Sequence, residues 1–123
     1  MDSQEELKLG IGNIEPEKVS LKPALVKIVN VKIETLSKAK KVSFEVKHPA
    51  KEETIKISSV AYLVGREVKV TGTWLNLDRE NKIQKGSALA VLLNKLSVLT
   101  IEQVIGKEIE TELDDKYLCF KAY

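Results

Sequence analysis

Among 123 residues there is one cysteine, Cys119, and one histidine, His48. A lone cysteine excludes an internal disulfide and agrees with a reducing compartment. The pair falls short of the four ligands of a usual zinc site, so carboxylates alone would have to hold a metal. No apolar run approaches the ~20 residues of a membrane span. The opening Met1-Asp2-Ser3-Gln4-Glu5-Glu6 is acidic where a secretory leader would be apolar. The expectation is a cytoplasmic protein without membrane contact. Glycine spacing fits no phosphate loop, because Gly10-Ile11-Gly12 has no strand–helix context behind it. His48 beside Pro49 reads as a turn residue, and Cys119, between Leu118 and Phe120, as a small packed side chain. With no assembled nucleophile, base or metal cluster, we expect no enzyme and no cofactor. Aromatics are also few: Phe44, Tyr62, Trp74, Tyr117, Phe120 and Tyr123.

What is abundant is apolar residues at 43% and charged ones at 31%, enough for a real core and too apolar for disorder. The bias toward Lys and Glu, with little Cys, Met and His, is common in thermophile proteins. The net charge of +2 hides a division along the chain. Residues 1–20 carry two basic and five acidic groups; residues 21–85 carry fourteen basic and seven acidic; residues 86–123 carry four basic and six acidic. The basic excess therefore sits in the middle, which favours an anionic partner. Residues 1–20, aperiodic and acidic, are expected to form a flexible arm ahead of a single domain over 21–123.

One helix stands out. Leu89, Leu92, Leu93 and Leu96 make an apolar stripe at helical spacing, with Ser87 placed to cap it and Gly86 to turn the chain in. Most of the rest reads as strands. From Ala24 to Glu34, Val26 and Ile28 have one parity and Val29, Val31 and Ile33 the other, so keeping both sets inward needs a bulge near Ile28-Val29. Lys41 to Lys47 alternates, with Val42, Phe44 and Val46 inward and Lys41, Ser43, Glu45 and Lys47 outward. Further strands are expected over Thr54–Tyr62, with Ile55, Ile57, Ser59 and Ala61 on one face, and over Glu67–Leu77, with Val68 and Val70 in phase and interrupted by Gly72. Thr100 and Gln103 have capping-box spacing, Leu99 and Val104 that of a hydrophobic staple, so a one-turn helix is expected there. Lys107–Leu113 and Tyr117–Ala122 then form a hairpin across Asp114-Asp115-Lys116.

A bent first strand, a helix and a terminal hairpin together resemble the OB-fold, with one strand beyond its five. The expected fold is thus a mainly β, elaborated OB-like barrel with one α-helix and a one-turn helix before a C-terminal hairpin. The run Trp74-Leu75-Asn76-Leu77, then Gly86 to Ala90 with Leu92-Leu93, then Ile105-Gly106-Lys107, looks like a family of small phage and archaeal proteins. That resemblance implies single-stranded DNA binding and carries over no functional residues.

Binding a single strand needs cations for phosphates and aromatic faces for bases. The candidate cations are Lys38, Lys40 and Lys41 around the first turn, with Lys47, Lys51, Lys56, Arg66 and Lys69 beyond it. Phe44 and Phe120 follow the inward phase, leaving Tyr62 and Trp74 as stacking candidates; Trp74 equally suits a cap on the barrel. Single-stranded DNA or RNA is the expected partner. The competing expectation is an interaction module that pairs a sheet edge or apolar patch with another protein or a copy of itself.

Overall fold

Residues 21–123 are described by the computed structural model, and the expected acidic arm, residues 1–20, lies outside the described residues. In chain order the elements are β1 (Val26–Leu36), β2 (Ala39–Lys47), β3 (Ile55–Ile57), β4 (Ser59–Val64) and β5 (Glu67–Gly72), then α1 (Ala88–Lys95) and a 3-10 turn (Ile101–Val104). β6 (Glu108–Ile109), β7 (Thr111–Asp114) and β8 (Tyr117–Lys121) complete the chain. They form two four-stranded sheets, β3-β2-β1-β6 and β5-β4-β8-β7. Two corners join the sheets, since β3 continues into β4 past Ser58 and β6 into β7 past Glu110. All pairings are antiparallel except β4 with β8, where Val60 lies opposite Phe120. The result is an elaborated OB-fold-like barrel, with β5 as the added strand and β7–β8 as the closing hairpin.

The core follows the alternation of β2. Val42, Phe44 and Val46 are fully buried, and Phe44 meets Phe120 edge to face with ring centroids 5.2 Å apart. That aromatic geometry adds about 0.5–1.5 kcal/mol beyond the area buried. Leu89, Leu92, Leu93 and Leu96 of the helical stripe are buried in the same cluster. The Ser87 hydroxyl accepts the Ala90 N–H at 3.2 Å, so α1 starts where its cap residue predicts. Its end is set by Ser97, which takes a positive φ of 59° while its N–H reaches the Asn94 carbonyl at 3.0 Å.

The bulge expected in β1 is present: Ile28 pairs with Val46, Asn30 with Glu45, and the register shifts between them. Its consequence differs from expectation. Val31 and Ile33 do move to the side of Phe44 and Val42, yet Val29 is exposed and Ile33 is 53% exposed. Past Ile28 the second edge of β1 has no strand partner among the described residues, because β6 pairs only with Val26 and Lys27.

Four other expectations are corrected. The Thr54–Tyr62 strand breaks at Ser58, whose carbonyl accepts the Thr73 N–H, and beyond it Val60 takes the inward phase while Ala61, on the other face, is buried as well. The fourth strand ends at Gly72 instead of Leu77, and its Val68 and Val70 are exposed on β5, the outermost strand of its sheet. The Leu99–Val104 staple does not form, since Leu99 is 88% exposed, although the Gln103 side chain accepts the N–H groups of Leu99 and Thr100 as a capping box requires. Ser43, expected to face outward into solvent, is buried although it lies on the outward side of β2.

Candidate nucleic-acid interface

Residues directly opposite in an antiparallel ladder share a face. Lys41 lies opposite both Glu34 and Trp74, and Glu45 opposite both Lys56 and Asn30. Trp74, Lys41, Glu34, Lys32, Glu45 and Lys56 therefore share the outer face of the first sheet. Charge there is mixed. The Lys56 ammonium reaches across β2 to Glu34 at 2.9 Å, and Lys32 stands 3.9 Å from Glu45. These side chains cross over Ser43, the middle residue of β2, and account for its burial.

Trp74 is fixed on this face by its neighbour. Thr73 is fully buried and donates its hydroxyl to the Val42 carbonyl at 2.5 Å, while the Val42 N–H donates to the Thr73 carbonyl at 2.9 Å. The Leu75 N–H donates to the Lys40 carbonyl at 2.8 Å. Residues 73–75 thus continue, beside the start of β2, the line that β3 holds beside its end. With Thr73 turned in, Trp74 must turn out. The Lys41 ammonium then sits 5.1 Å from the Trp74 ring centroid, within cation–π range. Gly72 makes room for this arrangement: a Cβ there would lie 2.8 Å from Lys41 Cε and 2.9 Å from Trp74 Nε1. The close approach that a glycine in a strand signals is made by the protein's own side chains.

The sequence candidates divide into three groups. Lys38 and Lys40 lie at the β1–β2 turn, next to Lys41 and Trp74. Lys56 shares their face but is paired with Glu34, and Lys47 at the end of β2 donates to the Glu52 carbonyl. Tyr62, Arg66 and Lys69 form the third group, on the β4–β5 hairpin. Tyr62 lies opposite Lys69, on the side of buried Val60 and Thr73, and its ring packs against the core. Since Lys69 and Trp74 have opposite parity along this segment, they point to opposite faces. No single groove gathers these nine and Lys51, which follows the end of β2.

One aromatic was missed. Tyr117, 62% exposed at the start of β8, lines a small pocket of about 200 Å³ with Lys51, Lys56 and Leu21. Its position directly after the Asp114–Lys116 turn, out of phase with Phe120, was the available signal.

The two residues set aside as structural have defined partners. His48 is buried; its Nδ1 accepts the Ala50 N–H at 3.0 Å, so Nε2 carries the proton and donates to the Lys22 carbonyl at 2.8 Å. It ties the end of β2 to the segment entering β1. Burial, with Glu112 and Asp114 nearby, pushes the Cys119 thiol up to about 11, which keeps it protonated at neutral pH. Among the described residues no group of three or more His, Cys, Asp or Glu could hold a metal ion. Among them also, no helix is long and apolar enough to cross a membrane. Compared with family models, curated proteins and solved structures, the chain finds no match.

Proposed function

We propose that the protein binds single-stranded nucleic acid, without catalysis, across the outer face that runs from the β1–β2 turn past Trp74 toward Tyr117. The observation that carries this reading is the Lys41–Trp74 pair, a cation and an indole held side by side on an OB-like face. A phosphate and its base need that combination, and Lys38 and Lys40 add charge at the same end. The basic middle of the chain and the resemblance to small phage and archaeal proteins support the same reading. Affinity is modest and salt-sensitive, because Glu34 and Glu45 neutralise part of the face.

Titration with single-stranded oligonucleotide tests the proposal. Trp74 is the only tryptophan, so stacking should quench the protein's fluorescence. Log K should fall with log salt by ~0.7 per phosphate contacted. Exchanging Lys38, Lys40 and Lys41 for Glu should weaken binding and flatten that slope with the melting temperature held. Absence of binding by folded protein at low salt would retire the reading. A second reading, an interaction module, is favoured by the apolar face of the β4–β5 hairpin, where Leu63 and Val68 lie opposite each other and both are exposed.

A further inference from the structure

The edge of β1 away from β2 carries a pattern that is complementary to itself. From Asn30 to Leu36 this strand is paired with β2 on one side, and among the described residues no strand covers the other. Unpaired edges of this length template further pairing. Beneath the edge lies an open groove of about 730 Å³, lined by Val31, Ile33, Ile83, Leu93, Leu99 and Ile101. Ile33 and Leu99 are its most exposed apolar members, and Ile33 belongs by register to the core side of the sheet. The groove is what leaves Ile33 exposed, since nothing among the described residues fills the space between β1 and α1.

We propose that a second copy of this chain covers the edge, through antiparallel β1–β1 pairing about a two-fold axis at Ile33. Charge selects this register. Centred on Ile33, Lys32 of each protomer lies opposite Glu34 of its partner, on the outer face, twice per dimer. Centred on Lys32, like charges meet on the axis; centred on Glu34, the same happens with carboxylates. A half-step register puts the outer face of one protomer against the core side of the other and strands the apolar residues in water. The Ile33 register also sets Val31 opposite Thr35 on the core side, so the apolar side chains of each partner enter the groove of the other. Both contributions are isologous, as a closed dimer requires.

Sedimentation of the full chain without nucleic acid tests this independently of the nucleic-acid reading. Apparent mass should rise with concentration from 13.8 kDa toward twice that value. Lys32→Glu and Glu34→Lys should each weaken association about tenfold or more, because each sets like charges opposite twice. Mixed in equal amounts the two variants should associate again, since each carboxylate of one variant then meets an ammonium of the other across the axis. Their folds should hold, because the ion pairs that each loses are exposed and worth ~0–1 kcal/mol. Register is read by cross-linking. Two Ile33→Cys protomers carry Cβ atoms about 4.5–5.5 Å apart and should form a reducible dimer on oxidation. Two Thr35→Cys protomers are separated by about 14 Å and should not; buried Cys119 does not compete. A wild-type chain that stays monomeric across the micromolar range would overturn the proposal. So would equal cross-linking by both cysteine variants, or a charge-reversed mixture that fails to associate.

Discussion

In β2 the residues Val42, Phe44 and Val46 are all fully buried, whereas in β5 Val68 and Val70, spaced the same way, are 45% and 37% exposed. Both strands belong to hairpins with alternating sequence, and both lie in four-stranded sheets. They differ in position. β2 is flanked by β1 and β3 and its apolar face meets α1 and β8, while β5 is the outermost strand of its sheet. Alternation records that one face of a strand is apolar; topology decides whether anything covers that face. The same distinction holds within β1, where Val26 and Ile28 are buried next to β6 and Ile33, past the end of β6, is open.

The comparison breaks most readily by truncation on the two hairpins. Phe44→Ala should cost ~3–5 kcal/mol, since it removes a fully buried ring and its edge-to-face partner contact with Phe120. Val70→Ala should stay within about 0.5 kcal/mol of wild type, as surface substitutions do. Chemical denaturation of both variants measures the difference. Similar losses would mean that the β4–β5 face is covered in solution. Leu92→Ala, in the buried stripe of α1, should fall below Phe44→Ala at ~2–5 kcal/mol. A loss under about 0.5 kcal/mol there would show that α1 does not plug the barrel.

The helix was legible because its signals are local: a glycine that turns the chain in, a capping serine and a stripe at helical spacing. The bulge was legible because two parities of Val and Ile cannot share a face without one. The corners at Ser58 and Glu110 were not, since neither is a glycine or proline and each is set by long-range bonds, to Thr73 and Lys121. For the same reason, parity read through Ser58 misassigned Ser59 to the inward set and left out Val60. The candidate site was half legible. Composition indicated Lys38, Lys40, Lys41 and Trp74, but only the ladder brings Trp74 opposite Lys41. It also pairs Lys56 with Glu34, two residues twenty-two positions apart, which no count of lysines could reveal.

A smaller effect tests how Trp74 is held. Thr73→Val keeps the shape of the side chain and removes the hydroxyl that donates to the Val42 carbonyl. The loss should be about 1–3 kcal/mol, the penalty for a buried acceptor left unpaired. Because Thr73 anchors the outward turn of its neighbour, the emission of Trp74 should change as well. Gly72→Ala should change that emission with a smaller loss of stability, since the nearest atoms belong to the Lys41 and Trp74 side chains instead of the backbone. Unchanged emission in both variants would mean that neither residue positions the indole.

The smallest expected effect lies in the turn that follows β5, where Asp78 to Lys82 crosses from the exposed hairpin to the wall of the β1 groove. One Asp78 carboxylate oxygen accepts the N–H of Glu80 at 2.8 Å and of Lys82 at 3.0 Å, and Asn81 adopts a positive φ of 61° to close the turn. The Lys82 N–H, then that of Glu80, hold the carboxyl below its ordinary 3.8. A depressed carboxyl contributes stability that is present above its unfolded pKa and is lost as pH falls through the folded one. Melting temperature should therefore decline less steeply in Asp78→Asn than in wild type as acid is added below about pH 4, and the two should converge at the acid end. The variant keeps an acceptor oxygen for the turn and removes only the titration. The carboxylate is fully exposed, so salt should shrink the difference further. Parallel acid limbs for the two proteins would show that the charge of Asp78 contributes nothing to this turn.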